Sequence, residues 1–146
     1  MGKKEEFYTV RGYQIQRRDK KLLTSSMEDY LEMIYREYLK EVHIRMNVLA
    51  ECLNVQVSSA TKIVQKLADL GFIDYQKYEA VKLTKKGIKM GEFLYNRHLA
   101  VEMLLKNLGV QKSLLMDTEM IEHNISMETL QNIILFNEYI KDNPII

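Results

Sequence analysis

From residue 24 onward the apolar positions of this chain recur mostly at helical spacing. In "LTSSMEDYLEMIYREYLKE", Met27, Leu31, Ile34 and Tyr38 form one stripe, acids fill the first turn, and Thr24 or Ser25 can cap it. "VHIR" is short and β-branched and predicts a small strand. Asn47 is placed to cap "VLAECL", a short helix with Val48, Leu49 and Leu53 facing inward. "NVQV" reads as a turn. "SSATKIVQKLADLG" then gives a second helix with Ala60, Ile63, Val64, Leu67 and Leu70 inward and Gly71 closing it. "FIDYQKYEAVKLT" alternates about a charged tip, as a β-hairpin does. Thr84 caps a long helix that ends at Gly109, and two more helices follow near 112–124 and 126–141, the last capped by Ser126.

Helix, short helix, turn, helix, hairpin is the order of a winged helix-turn-helix unit. The expected fold is therefore mainly α with a small β-hairpin. A basic arm (1–22) precedes a winged helix-turn-helix domain (23–89), and a helical domain (90–146) is joined to it by the long helix at about 84–109. On the second helix of the unit, Ser58, Ser59, Thr61, Lys62 and Gln65 form a polar face whose hydroxyls, amine and amide suit phosphates and base edges in a major groove. The hairpin adds Lys77, Tyr78 and Lys82, and Lys85 and Lys86 open the next helix. A solvated polar face is the plainer reading of one such helix; the adjoining basic hairpin favours DNA.

Charge placement sharpens this. The 146 residues carry a formal net charge of only +1. Residues 1–24 are net +4 and residues 57–89 are again +4, whereas residues 90–146 are net −4. A basic centre suits a polyanion, and an acidic C-terminal part suits cations. With one cysteine, Cys52, there is neither an internal disulfide nor a thiolate metal cluster, and it reads as a small core residue. The opening "MGKKEEFYTVRGYQ" lacks the apolar run of a signal peptide, and no stretch approaches the roughly 18 apolar residues of a membrane span. The expected compartment is the cytoplasm.

The acidic part contains "EMIEH", in which Glu119, Glu122 and His123 stand at i, i+3 and i+4 and share a helical face. Asp29 and Glu32 share a face of the first helix, and His98 lies on the long helix. Each has a plainer reading alone. Asp29 complements the helix dipole, Glu32 pairs with Arg36, and His98, next to Leu94, Tyr95 and Leu99, is a satisfied core histidine. Together they are six oxygen and nitrogen donors on three helices. Such a set suits Mn(II), Fe(II) or Zn(II), and six side chains with some bridging are enough for two adjacent ions.

"SMEDYLEMIY", "VSSATKIVQKL", the "GFIDYQKY" hairpin, "RHL" and "EMIEH" together resemble the DtxR/MntR family of metal-dependent repressors, most closely its short manganese-sensing branch. The resemblance runs from about Leu23 to Asn137. It implies that Asp29, Glu32, His98, Glu119, Glu122 and His123 are metal ligands, with "EMIEH" on the dimerisation side and Asp29 and Glu32 on the DNA-binding side. Iron-type relatives carry Met and Cys where this chain has Asp29 and Glu119, which resembles the manganese branch. Longer relatives add an SH3-like domain, for which this sequence has no room, and the arm has no implied role. The expectation is a Mn(II)-responsive regulator without enzymatic activity, a repressor of metal-uptake genes binding a palindromic operator as a homodimer. Fe(II), Zn(II) or Co(II) would be substitutes at its site. Its rivals are a winged-helix regulator with another effector, a small carboxylate-bridged metalloenzyme, and a protein-binding winged-helix module. A di-metal bundle is usually built from two Glu-x-x-His motifs on separate helices; the sequence has Glu119-x-x-Glu122-His123 once and no HExxH, which weighs against the enzyme.

Overall fold

A computed structural model describes Thr9 and residues 23–144; the expected basic arm otherwise lies outside the described residues. Helix α1 (Ser25–Leu39) starts where Thr24 accepts a hydrogen bond from the Met27 amide at 3.2 Å. Its stripe of Met27, Leu31 and Ile34 is buried, while Tyr38, in the last turn, is 41% exposed. The segment before the next helix does not become a strand. It makes one hydrogen bond to the hairpin, from the Val81 amide to the Ile44 carbonyl at 2.8 Å, too little for a ladder.

Helix α2 (Met46–Cys52) and helix α3 (Val57–Asp69) form the helix-turn-helix. Arg45, not Asn47, occupies the cap position of α2, and no side chain caps it. Met46, Leu49, Ala50 and Leu53 fall within about 100° of one another on a helix, and that arc faces the core. Val48 and Cys52 fall outside it. Val48 is 43% exposed and Cys52 is exposed, so neither is the core residue its neighbours suggested. Helix α3 buries Ala60, Val64 and Leu67, with Ile63 and Leu70 half-buried. It ends in Gly71 at φ +86°, a left-handed turn that glycine adopts without strain.

Strands β1 (Ile73–Asp74) and β2 (Lys82–Leu83) pair antiparallel, Ile73 opposite Leu83 and Asp74 opposite Lys82. Thr84 then caps α4 (Lys85–Asn107), accepting from the Gly87 amide at 3.1 Å and donating to the Gly71 carbonyl. Helices α5 (Leu114–Glu122) and α6 (Met127–Asp142) complete six helices among the described residues.

Two apolar cores share α4. Leu94 joins the larger one, built on α1, α2, α3 and the hairpin, whereas Ala100, Val101 and Leu105 pack with Leu130 and Ile133 of α6. Gly91 lets α1 sit directly on α4, since a Cβ there would lie 2.6 Å from Cβ of Tyr35. The stretches of α1, α4 and α5 that carry the acids and histidines are brought together. No helix of the described residues is long and apolar enough to cross a membrane.

Candidate metal centre and nucleic-acid interface

All six residues that the sequence singles out converge. Asp29, Glu119, Glu122 and His123 form one group, and Glu32, His98, Glu119 and Glu122 a second; within each, one donor atom per residue lies within 4.8 Å of the others. Glu119 and Glu122, one helical turn apart on α5, belong to both. His123 Nε2 is 2.8 Å from Asp29 Oδ1, joining α5 to α1. His98 Nδ1 is 2.8 Å from Glu122 Oε2 and 3.1 Å from Glu119 Oε1, joining α4 to α5. The pair expected as the plainer reading of Glu32 also forms, with Arg36 Nε at 3.5 Å.

The apolar surround anticipated for His98 is not what it meets. Leu99 points outward at 43% exposure, while Glu102, one turn along α4, reaches His98 Nε2 at 3.3 Å. Because α5 runs back across α4, His98 faces the "EMIEH" carboxylates instead of the core beside Leu94.

Concentrated charge shifts the titrations here. Burial, then the neighbouring Glu122 carboxylate, pushes Glu32 up to about 7. Hydrogen bonds to Glu119 and Glu122 raise His98 to about 10 against the opposing effect of burial. Burial would lower His123, but hydrogen bonds to Asp29 and Glu28 outweigh it and raise it to about 9. The hydrogen bond from His98 holds Glu119 below the usual carboxylate range.

Three partners went unread in the sequence. Glu28 is only 4% exposed; its carboxylate is 3.1 Å from Arg97 Nη1 and 3.1 Å from His123 Nδ1. Arg97, also buried, brings Nη2 within 3.1 Å of the same Nδ1. Glu102 is the third. The available signals were spacing alone: Glu28 lies four residues before Glu32, Arg97 adjoins His98, and Glu102 follows His98 by four.

A divalent cation fits this donor set. The groups are carboxylate oxygens and imidazole nitrogens without sulfur, which matches borderline and hard ions. Glu122, fully buried, leaves Oε1 without a hydrogen bond, with His123 Nε2 facing it at 3.5 Å, and a bound cation would satisfy that oxygen.

Helix α3 and the hairpin present the basic face. Ser58, Ser59, Lys62 and Gln65 are exposed on α3, while Thr61 is half-buried and donates its hydroxyl hydrogen to the Val57 carbonyl at 2.8 Å. The Gln65 amide donates to Asp69 Oδ1 at 3.1 Å. Tyr78, at φ +71° and 82% exposed, stands at the hairpin tip with the Lys77 ammonium 5.1 Å from its ring. Lys82 is exposed on β2. Lys86 is directed elsewhere: it donates to the Leu70 carbonyl at 2.8 Å and lies over the Phe72 ring, fixing the C-terminal end of α3.

A winged helix-turn-helix joined by one long helix to a cluster of carboxylates and histidines defines a metal-dependent DNA-binding regulator. Comparison with known proteins narrows the class. Residues 22–81 match the N-terminal DNA binding domain of the iron dependent repressors, and residues 84–146 match their metal binding and dimerisation domain. The chain belongs to the iron dependent repressor family and is a transcriptional regulator, not an enzyme. It is 41% identical over 121 residues to the HTH-type transcriptional regulator MntR of Oceanobacillus iheyensis, covering 82% of each chain. With the regulator of the same name from Lysinibacillus sphaericus it is 39% identical over 122 residues, 83% of this chain and 88% of that one. Among solved structures it is similar to the manganese regulator SloR, with TM-score 0.69 and 28% identity over 80% of this chain. The metal-dependent transcriptional regulator MtsR superposes with TM-score 0.72 at 25% identity, again over 80% of this chain. The chain spans 55% of the length of each of these two structures.

Proposed function

We propose that this protein is a Mn(II)-responsive repressor of metal-uptake genes that binds a palindromic operator as a homodimer in the cytoplasm. The observation that carries the reading is the pair of four-residue donor groups sharing Glu119 and Glu122, which tie α1 of the DNA-binding half to α4 and α5. On this reading Asp29, Glu32, His98, Glu119, Glu122 and His123 hold a binuclear site. The names of the relatives support manganese, as do Asp29 and Glu119 in place of softer ligands. Fe(II), Zn(II) and Co(II) are the expected substitutes.

Bound cations supply positive charge among carboxylates that otherwise repel one another. The chain's own residues turn that into regulation. Asp29 and Glu32 belong to α1, whose apolar face packs in the same core as α3, so fixing them fixes the recognition helix. We divide the chain into a DNA-binding unit (23–89) and a metal-binding and dimerisation unit (90–146), with α4 as the shared beam. Two copies docked through the second unit would hold their α3 helices at a set separation, about 34 Å for successive major grooves. A coupling of ~1–3 kcal/mol between the sites changes DNA affinity roughly 5- to 150-fold. Leu115, Met116 and Met120, 64%, 61% and 65% exposed on α5, supply an apolar surface for that docking.

The DNA contacts on this reading are Ser58, Ser59, Thr61, Lys62 and Gln65 from α3 and Lys77, Tyr78 and Lys82 from the wing. Titrating operator DNA with the protein, with and without Mn(II), Fe(II), Zn(II) or Co(II), tests the reading. Mn(II) should raise affinity for the operator, and Glu119→Ala should abolish the gain. Equal binding by metal-free and metal-loaded protein would refute it.

A further inference from the structure

His123 Nδ1 faces two groups that demand opposite things of it. Glu28 Oε1, at 3.1 Å, can only accept and therefore favours a hydrogen on Nδ1. Arg97 Nη2, also at 3.1 Å, can only donate and therefore favours a bare lone pair on Nδ1. The outcome matters at the other ring nitrogen, because Nε2 is the atom directed at Asp29, 2.8 Å away, and at Glu122 Oε1, 3.5 Å away. A neutral imidazole with its hydrogen on Nδ1 offers the Nε2 lone pair to a cation; one with its hydrogen on Nε2 cannot.

We infer that Glu28 is a positioning residue for the metal centre, holding His123 in the Nδ1–H tautomer against the competing guanidinium of Arg97. This inference rests on the metal-site reading above and adds a residue that supplies no donor atom to either four-residue group. Glu28 is suited to the task. It is buried, and its second oxygen is 3.1 Å from Arg97 Nη1, so the contact holds Glu28 in place while Arg97 Nη2 remains close to the ring. The arrangement is the carboxylate–histidine–metal relay, in which an acid behind a ligating imidazole sets its tautomer and orientation. It also crosses elements: Glu28 lies on α1, Arg97 on α4 and His123 at the end of α5.

Two variants test this role, and a spectroscopic readout of the His123 ring separates it from that of a buried ion pair. Glu28→Ala leaves the guanidinium facing Nδ1 and should weaken Mn(II) binding by about 10- to 100-fold in calorimetry. Adding Arg97→Met removes the opposing donor, and the double variant should bind Mn(II) more tightly than Glu28→Ala does. A double variant that binds Mn(II) no better than the single would overturn the inference. Wild-type affinity in Glu28→Ala would overturn it as well. A third readout needs no variant. In the Zn(II)-loaded wild-type protein with 15N-labelled histidine, His123 should carry its hydrogen on Nδ1, with the metal-shifted resonance at Nε2; the reverse assignment overturns the inference whatever the variants do. Should the wild-type protein bind neither Mn(II) nor Zn(II), the metal-site reading itself fails. Metal binding by the wild type without the Glu28 effect removes only the inference.

Discussion

Raising the pH should tighten metal binding steeply, with a slope that counts the ions. In the metal-free protein His98 titrates at about 10 and His123 at about 9, so at pH 7.5 both are cationic. Two imidazolium charges then offset part of the four carboxylates of Asp29, Glu32, Glu119 and Glu122. Ligation needs both imidazoles neutral, so filling both donor groups releases about two protons. The overall two-ion constant should therefore rise ~100-fold per pH unit between about 7 and 9, or ~2.7 kcal/mol per unit. Below about pH 7 Glu32 also holds a proton, and the slope should steepen towards three. Calorimetric Mn(II) titrations in buffers of different ionisation enthalpy count these protons directly. Release of one proton would mean that only one donor group fills, and release of none would refute the histidine assignments. The same shifts set the pH dependence of the metal-free fold. Both histidines are raised above 6.5, so their stabilisation is complete below that pH and is lost as pH rises through about 9 and 10. The raised Glu32 likewise stabilises below 4.5 and loses its contribution as pH rises through about 7. The lowered Glu119 acts oppositely: its contribution is present above 4.5 and disappears as pH falls through its folded value. The metal-free melting temperature should thus decline from about pH 6.5 to 10, and loading with Mn(II) should remove most of the decline.

Gly91→Ala places a Cβ 2.6 Å from Cβ of Tyr35 and should cost about 1–3 kcal/mol in urea unfolding while weakening Mn(II) binding, since α1 must move off α4; unchanged stability would show that the helices separate freely. Met120→Glu puts a charge in the exposed apolar face of α5 and should give 17.3 kDa monomers by sedimentation; a surviving dimer would place the interface elsewhere. Lys77→Ala should weaken binding to all DNA sequences alike and lower the slope of log affinity against log salt by ~0.9 per subunit; an unchanged slope would remove the hairpin from the interface. Asp29→Met combined with Glu119→Cys softens one donor group at two positions and the other at Glu119 alone, and should broaden the DNA-binding response towards Fe(II); an unaltered metal ranking would mean that these positions do not select the ion.

Periodicity exposed the helices because each buries a narrow apolar stripe, and caps such as Thr24, Thr84 and Ser126 marked where three of them begin. It failed where an arc of a helix was assigned from too few positions: Val48 and Cys52 adjoin Leu49 and Leu53 in sequence but face away from them. The candidate donors were legible because i, i+3, i+4 spacing forces Glu119, Glu122 and His123 onto one face, whatever that face meets. Glu28 was illegible for the opposite reason. Its place in the first turn of α1 suggests an acid that complements the helix dipole, and nothing local shows that Arg97, 69 positions later, will bury it. A buried carboxylate must find a cationic or donor partner, so the information lies in the pairing of two helices and not in either sequence. The same pairing explains why the fold can respond to a cation. The acids that face one another across α1 and α5 lie where the DNA-binding half meets the rest, so on the proposed reading whatever neutralises them also bears on where α3 lies.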